Sequence, residues 1–161
     1  MKKRRGKSRV TVGWREWVSL PELGIEAIKA KIDTGARTSS LHAFNLKRFR
    51  RDGVDMVRFD IHPIQRDSKT SVTVEAPLVG EKTVRSSSGH AQKRPVIETT
   101  IVLCGIPVKA EVTLTRRDVM GFRMLIGRKT LAGRFLVDPK RSYLGGKPPE
   151  ETRKPAGRGK G

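Results

Sequence analysis

One aspartate in this sequence stands in a setting that suits a carboxylate doing chemistry. Asp33 is followed by Thr34 and Gly35, and an apolar segment ending at Ile32 precedes it. Two carboxylates that share one proton can hydrolyse a peptide bond, because the ionised member activates water and the protonated member protonates the scissile carbonyl. The Thr34 hydroxyl can anchor the turn, and Gly35 can bring its backbone N–H close to the carboxylates. Asp33, Thr34 and Gly35 are therefore the predicted catalytic residues.

The aspartate motif occurs once. No second Asp-Thr-Gly or Asp-Ser-Gly is present in the 161 residues. A mechanism with paired aspartates therefore needs a second Asp33 from another subunit. A two-fold axis between two copies brings like residue against like and supplies that pair, whose carboxylates would titrate as a unit. The sequence predicts a homodimer with one Asp33 from each subunit.

The elements that must position Asp33 follow an all-β pattern. Apolar and polar residues alternate along Val108–Leu114 and Val57–Ile61, as in half-buried strands. Gly, Pro, Asp and Ser mark breaks between strands at Leu20–Gly24, Arg51–Gly53, Pro63–Ser68 and Cys104–Pro107. The further candidate strands are Val10–Val18, Ala27–Ile32, Val72–Ala76, Val96–Leu103 and Phe135–Val137. One helix of about two turns is predicted over Arg128–Ala132, closed by Gly133. Short strands at this spacing indicate a barrel or a sandwich.

The formal charge of +19 is concentrated at the two ends of the chain. Residues 1–10 carry +6 and residues 140–161 carry +5. Because basic segments poor in apolar residues cannot offset their ordering entropy, we expect disordered tails at 1–10 and 145–161 around one domain at 11–144. Such tails contact nucleic acid, ribosomes or acidic proteins only through non-specific electrostatics, or serve solubility alone.

Several classes of protein are excluded by composition. No apolar run is long enough to span a membrane, and no apolar stretch follows the basic N-terminus as in a secretory signal. Cys104 is the single cysteine, which excludes an internal disulfide and a thiolate-rich zinc site, and we expect it to be a buried small hydrophobe. The expected location is the cytoplasm.

Two separated segments resemble the retropepsin-like aspartic peptidases. The first is Lys31–Ala36 around the aspartate, and the second is Met124–Arg128, which is followed by a predicted helix and strand. In retropepsins a hydrophobic-hydrophobic-Gly-Arg segment closes the barrel behind the aspartate loop and leads into such a helix. The resemblance implies a pepsin-type half-barrel, a closed β-barrel with one short C-terminal helix.

The resemblance is closer to one bacterial subfamily and covers residues 11–144. Shared stretches include Val12–Glu16, Lys31–Ala43, Val84–Gly89, Arg94–Ile97 and Met120–Pro139. That subfamily has been labelled "putative ATP-dependent zinc protease" and is associated with RimK-type ATP-grasp ligases that add glutamates to ribosomal protein. The resemblance implies an aspartic-type hydrolase with a functional link to such a ligase.

The substrate-binding prediction combines the aspartate loop with a flap. A retropepsin needs a flap that closes over the substrate and excludes water, and residues 84–90 are the candidate. Unlike many flaps of the family, this one contains no aromatic residue. Arginines near the cleft would favour acidic substrates by bidentate pairing, so glutamate-rich or glutamylated peptides are the expected substrates. The predicted substrate-binding residues are Ala36, Arg37, Arg85, Ser86, Ser87, Ser88, Gly89 and Arg94.

Other readings of the sequence find less support. Ser39 and Ser40 lie between Asp33 and His42, but no nucleophile-elbow motif accompanies them. The three histidines, at 42, 62 and 90, are widely spaced, and no phosphate-binding glycine loop is present, so no metal or other cofactor is predicted. The main alternative to a peptidase is a catalytically silent binding module of retropepsin shape, recruited to ribosomal or acidic partners. A specific RNA-binding protein comes third, because the chain has only eight aromatic residues.

Overall fold

The computed structural model describes residues 8–62, 71–85, 88–116 and 121–146. These residues form eleven strands, one α-helix and a 3-10 turn at Pro21–Leu23. The strands are β1 (Val10–Val12), β2 (Arg15–Leu20), β3 (Ile25–Ile32), β4 (Ser39–His42), β5 (Phe44–Arg51), β6 (Val54–Ile61), β7 (Val72–Arg85), β8 (Ala91–Leu103), β9 (Ile106–Thr115), β10 (Met124–Ile126) and β11 (Phe135–Val137). The helix α1 spans Arg128–Leu131 and lies between β10 and β11.

Nine strands form one sheet in the order β2-β3-β10-β4-β9-β8-β7-β6-β5. β2 also pairs with β8, so the pairings from β2 through β3, β10, β4, β9 and β8 return to β2. The pairings of β10 with β3 and of β4 with β9 are parallel, whereas β10 with β4 is antiparallel. A separate parallel pair, β1 with β11, joins the beginning of the domain to its end.

Alternating side chains of these strands build one apolar core. In β2 the inward positions are buried and the outward ones are half-buried, which is the period-two pattern of a strand with one covered face. Phe59, Ile97, Ile101 and Leu103 are fully buried with the inward residues of the neighbouring strands. Burial of each such side chain stabilises the fold by roughly 1.5–3 kcal/mol. The core therefore fixes the strands that carry the site.

Two tight turns join strands at the positions where the sequence predicts breaks. Asp52 and Gly53 have φ values of 53° and 78° between β5 and β6, and Cys104 and Gly105 have values of 48° and 80° between β8 and β9. Positive φ at both central residues is the geometry of two-residue hairpins whose twist matches that of the strands. The predicted break at residues 63–68 lies outside the described residues.

The structure corrects several predicted elements. The single strand expected over Val10–Val18 is two strands, because the chain bends at Gly13, where a Cβ atom would overlap the Arg141 carbonyl oxygen at 2.1 Å. The helix has one turn instead of two and ends before Ala132, while Gly133 has the expected left-handed φ of 81°. β4, β5 and β10 were not predicted as strands: β4 and β10 are short, and in β5 half of the residues are basic and most are exposed.

The observed class is mostly β with one short helix, as the sequence predicts. In the described part of the chain no helix is long and apolar enough to cross a membrane. β1 begins at Val10, the last residue of the predicted N-terminal tail, and the description continues to Gly146 at the other end. The remainder of both predicted tails lies outside the described residues.

Candidate active site

Asp33 follows directly on the last residue of β3. β3 runs parallel to β10, with Ile32 opposite Ile126, and the Asp33 N–H donates to the Ile126 carbonyl at 2.9 Å. Ile32 and Ile126 are buried in the core, while Asp33 is half-buried. The buried ends of β3 and β10 thus give the aspartate backbone a rigid support, while its side chain stays accessible from solvent.

The turn after Asp33 aims a backbone N–H at its carboxylate. The Gly35 N–H donates to Asp33 Oδ1 at 2.8 Å, and the Ala36 N–H donates to the Asp33 carbonyl at 3.2 Å. Gly35 is not in the left-handed region, so its backbone conformation does not by itself demand glycine. A Cβ atom there would lie 3.1 Å from Asp33 Oδ1. Glycine is therefore favoured because a larger residue would press on the carboxylate.

A second segment supports this loop from behind. The Arg128 guanidinium donates to the Thr34 carbonyl at 3.0 Å. The Arg128 N–H donates to the Ala36 carbonyl at 2.8 Å, and the Lys129 N–H donates to the Arg37 carbonyl at 3.0 Å. The first turn of α1 therefore satisfies the carbonyls of the aspartate loop with its own unpaired N–H groups. The two segments that carry the family resemblance are thereby in direct contact.

A buried hydroxyl pair locks the base of the same loop. Ser39 Oγ accepts a hydrogen bond from the Gly127 N–H at 3.0 Å and lies 2.8 Å from Thr130 Oγ1. Ser39 and Thr130 are both 1% exposed. Gly127 is in tight contact with the loop, because a Cβ atom there would lie 2.5 Å from the Thr38 carbonyl oxygen. Ser39 is thus a structural residue, which argues against its use as a nucleophile.

The predicted flap lies at the end of a long hairpin. β7 and β8 pair as far as Arg85 and Ala91, and Arg85 donates to the Gly89 carbonyl at 3.3 Å. Ser88 and Gly89 are exposed, and Gly89 has a φ of 89°. The predicted flap residues at 86 and 87 lie outside the described residues. β7 therefore extends well beyond the predicted strand Val72–Ala76, which covers only its beginning.

The hairpin contacts the aspartate loop partway along its length. Lys82 Nζ donates to Thr38 Oγ1 at 3.4 Å. Arg94 lies opposite Lys82 in the hairpin and donates to Gln92 Oε1 at 3.2 Å. Arg37 is exposed on the loop itself. The structure thus brings the loop and the hairpin together, with Arg37 on the first and Arg94 on the second.

The histidines do not form a metal site within the described residues. His42 and His62 have ring centroids 6.3 Å apart, and Phe44 stacks on His62 at 4.5 Å. No group of three or more His, Cys, Asp or Glu side chains in the described ranges is placed to hold a metal ion. The described residues therefore offer no fitting donor set for the zinc in the label of the resembling subfamily.

Sequence reasoning missed a buried carboxylate that joins the two ends of the domain. Glu16 is fully buried in β2 and accepts hydrogen bonds from the N–H groups of Gly13, Leu144 and Gly145 at 2.7, 2.9 and 3.0 Å. A signal was present, because Glu16 occupies an inward position of the alternating strand. Its contacts hold the Gly13–Trp14 bend, and the Trp14 carbonyl there accepts from the N–H of Ile32, next to Asp33.

Glu16 also affects the single cysteine. Burial, together with the nearby Glu16 carboxylate, raises the pKa of the Cys104 thiol to about 12. Cys104 is half-buried and not fully buried as the sequence predicts, since it lies in the β8–β9 turn, at a φ of 48°. A thiol with so high a pKa is almost entirely protonated at neutral pH and is a poor nucleophile.

Comparison with known proteins finds curated relatives of similar sequence. The chain is 46% identical over 132 residues to a probable alpha-L-glutamate ligase of Shewanella pealeana, covering 82% of this chain and 29% of the ligase. A probable alpha-L-glutamate ligase of Parasynechococcus marenigrum is 47% identical over 135 residues, covering 84% and 29%. The chain thus spans less than a third of the length of these curated relatives.

A solved structure has the same fold. It belongs to a Legionella pneumophila protein of unknown function, with a TM-score of 0.72 and 27% identity, and the match covers 86% of this chain and 99% of that one. Residues 11–148 match the family described as RimB-like, retropepsin-like aspartic endopeptidase RimB. The chain therefore belongs to the RimB-like family of retropepsin-like aspartic endopeptidases.

Proposed function

We propose that this protein is a homodimeric aspartic peptidase in which one Asp33 from each subunit forms the catalytic pair. The observation that carries the proposal is the setting of Asp33. It is the one aspartate in an Asp-Thr-Gly motif, it follows a core strand, and the Gly35 N–H donates to its half-buried carboxylate. The circuit of six paired strands from β2 to β8 supports a closed barrel behind that carboxylate.

The mechanism follows from two Asp33 carboxylates that share one proton. The ionised carboxylate takes a proton from a water molecule as its oxygen attacks the scissile carbonyl carbon, and the protonated one delivers its proton to the carbonyl oxygen. The resulting tetrahedral diol then collapses: the C–N bond breaks, a proton passes to the leaving nitrogen and a carboxylic acid remains. The Thr34 carbonyl ties the loop to Arg128, and the Gly35 N–H helps to orient the carboxylate.

The proposed substrate is a glutamate-rich or glutamylated protein, cleaved at a peptide or isopeptide bond. The chain carries a net positive charge, and Arg37, Arg85 and Arg94 lie on the loop and the hairpin that would enclose a substrate. Arginine pairs with carboxylates through two parallel hydrogen bonds. The names of the curated relatives, which refer to glutamate ligation, support a functional link to an ATP-grasp glutamate ligase. The proposed location is the cytoplasm.

The proposal is tested by replacing the carboxylate while keeping its shape. Asp33→Asn should retain the fold and the dimer but lose hydrolysis of glutamate-tailed peptides, measured by mass spectrometry of the products. Asp52→Asn makes the same chemical change in an exposed turn and should retain full activity. A zinc chelator should have no effect on the unmodified protein. Full activity of Asp33→Asn, or loss of activity on chelation, would contradict the proposal.

A second candidate is a retropepsin-shaped binding module without hydrolytic activity. It is favoured by one finding, namely that the domain occurs within proteins named for ligation, where it makes up 29% of the length. In that case Asp33→Asn and the unmodified chain would bind acidic peptides alike and neither would cleave them. The same set of measurements therefore separates the two candidates.

A further inference from the structure

A cation-lined cavity of about 300 Å³ lies beside the first residues of β8, in the half of the β7–β8 hairpin that is nearer its tip. Its wall includes Lys93 and Arg94 of β8, and Arg116 just after β9. Asn45 and Leu46, at the start of β5, form another part of the wall. The cavity volume is at the lower end of the range found for small-ligand sites, which suits a single side chain better than a large cofactor.

The position of the cavity ties it to the aspartate loop through two strands. Arg94 lies opposite Lys82 in the hairpin, and Lys82 contacts Thr38 at the end of the loop. Thr115, a lining residue on β9, pairs with His42 on β4, the strand that leaves the loop. A peptide that runs from Asp33 along the hairpin would therefore reach this cavity with a neighbouring side chain.

The charge of the lining is one-sided. Among the described residues that line the cavity are three cations and no carboxylate. Another groove, at the junction of α1 and β9, differs because its Lys109 and Lys129 are accompanied by Glu98 and Glu111. Cations without acids in a concave wall attract an anion, and the low-dielectric walls focus the field.

Two carboxylates near the cavity, Glu81 and Asp60, have partners of their own. A hydrogen bond from Arg48 is the main reason why the pKa of Glu81 lies below its usual range, and Lys93 contributes more weakly. Asp60 accepts hydrogen bonds from Asn45 at 2.9 Å and from Thr73 at 2.5 Å. Each of these carboxylates has one partner outside the lining, Arg48 for Glu81 and Thr73 for Asp60, and each also interacts with a lining residue, Lys93 or Asn45. The described residues of the lining itself include no carboxylate.

We propose that this cavity is a specificity subsite that receives a carboxylate side chain of the substrate, bound by Lys93 and Arg116 together with Arg94. The inference rests on the proposed peptidase function and names the feature of the substrate that the protein selects. Lys93 supplies a point charge, and the two guanidinium groups supply planar donors that match a carboxylate. A neutral amide of the same shape would offer those three side chains no negative charge to pair with.

The test measures peptide binding in the Asp33→Asn protein, so that cleavage cannot obscure the affinity. Pentaglutamate and pentaglutamine are titrated by calorimetry at fixed salt. Pentaglutamate should bind more tightly, and Lys93→Gln and Arg116→Gln should each weaken its binding roughly tenfold, the size expected for a lost charge-assisted hydrogen bond. Binding of pentaglutamine should not change. Lys109→Gln removes the same charge from β9 at a groove that contains acids and should change the affinity less than twofold.

The outcomes separate the subsite from the proposed function. Equal binding of the two peptides, or a loss in Lys109→Gln as large as in Lys93→Gln, would overturn the subsite even if the unmodified protein cleaves pentaglutamate. Selective weakening in Lys93→Gln and Arg116→Gln supports the subsite. If the unmodified protein then cleaves neither peptide, the peptidase proposal fails and the carboxylate site remains.

Discussion

The Asp33 carboxylate is oriented by the turn that follows it, which makes Gly35 a sensitive position. A methyl group at residue 35 would lie 3.1 Å from Asp33 Oδ1, closer than an ordinary contact. Gly35→Ala should lower kcat roughly tenfold, because a displacement of a few tenths of an ångström misaligns a reacting group. The backbone conformation tolerates alanine, so thermal unfolding should change little. The kcat and the midpoint of thermal unfolding are measured on the same preparation of each variant.

A glycine on β7 provides the control. Gly80 has no atom within 4 Å of an added Cβ and, like Gly35, is outside the left-handed region. Gly80→Ala should therefore leave kcat unchanged. If Gly35→Ala retained the kcat of the unmodified protein, contact with the carboxylate would not be the reason for glycine at that position.

Cys104 should be inert toward alkylation at neutral pH. Its pKa of about 12 leaves roughly one thiol in ten thousand ionised at pH 8. Only the thiolate reacts, and below the pKa its fraction grows about tenfold with each pH unit. The rate of iodoacetamide labelling of the folded protein should therefore climb about tenfold per pH unit without a plateau below pH 10. The chain unfolded in urea should level off near pH 9. A plateau near pH 9 in the folded protein would contradict the effect of burial and of Glu16.

At the scale of elements, the aspartate loop depends on a hydroxyl pair between β4 and α1. Ser39→Ala removes the acceptor for the buried Gly127 N–H and the partner of Thr130. Leaving a buried donor unpaired costs about 1–3 kcal/mol, so the free energy of unfolding in urea should fall by that amount. Thr130→Val removes only the hydroxyl contact and should cost less.

A double-mutant cycle isolates the contact between the two hydroxyls. The variant with both changes should be less destabilised than the sum of the single changes by about 1 kcal/mol, because each single change already removes the shared hydrogen bond. Additive losses would mean that Ser39 acts only on Gly127. Ser40→Ala, on the neighbouring and half-buried position of β4, is the matched control.

The sequence predicts some elements well and others poorly, for physical reasons. The turns at Asp52–Gly53 and Cys104–Gly105 were recognisable because each contains a glycine, which adopts positive φ without steric cost. β5 was not, since its basic side chains are exposed and find their partners across strands, as in the Arg51–Glu75 and Arg58–Glu75 pairs. Such pairs depend on register, which a single sequence does not display. The roles of Ser39 and Glu16 could not be predicted for a similar reason, because they depend on hydrogen-bond partners about 90 and 130 residues away in the sequence.

At the scale of the whole molecule, charge opposes the proposed dimer. Two chains that each carry +19 repel one another, and salt screens that repulsion. The dimer should therefore tighten as ionic strength rises from about 10 mM to about 150 mM, where the screening length falls from roughly 30 Å to 8 Å. Sedimentation equilibrium measures the dissociation constant at each salt concentration. A dimer that weakens with salt would indicate an interface made of complementary charges.

The family and the Asp33 loop could both be predicted from the sequence, because each resembling segment is a continuous motif. The two segments then meet in the fold, where the Arg128 N–H donates to the Ala36 carbonyl. The cavity at Lys93 and Arg116 was not, since it is formed by residues from β5, β8 and β9 that no sequence motif connects. Arg94 was singled out for its charge alone, and its position in the cavity wall gives that prediction a location. The proposed preference for a carboxylate side chain therefore depends on tertiary structure more than on any sequence motif.

The central claim, that each active site uses one Asp33 from each of two subunits, has a direct test in mixed dimers. The unmodified chain and Asp33→Asn are combined in varying ratios at constant total concentration, well above the dissociation constant, until subunit exchange is complete. Only dimers with two intact Asp33 residues can share a proton between carboxylates. The rate of glutamate-peptide hydrolysis should therefore follow the square of the fraction of unmodified chain. A rate that falls linearly with that fraction would show that each subunit works alone.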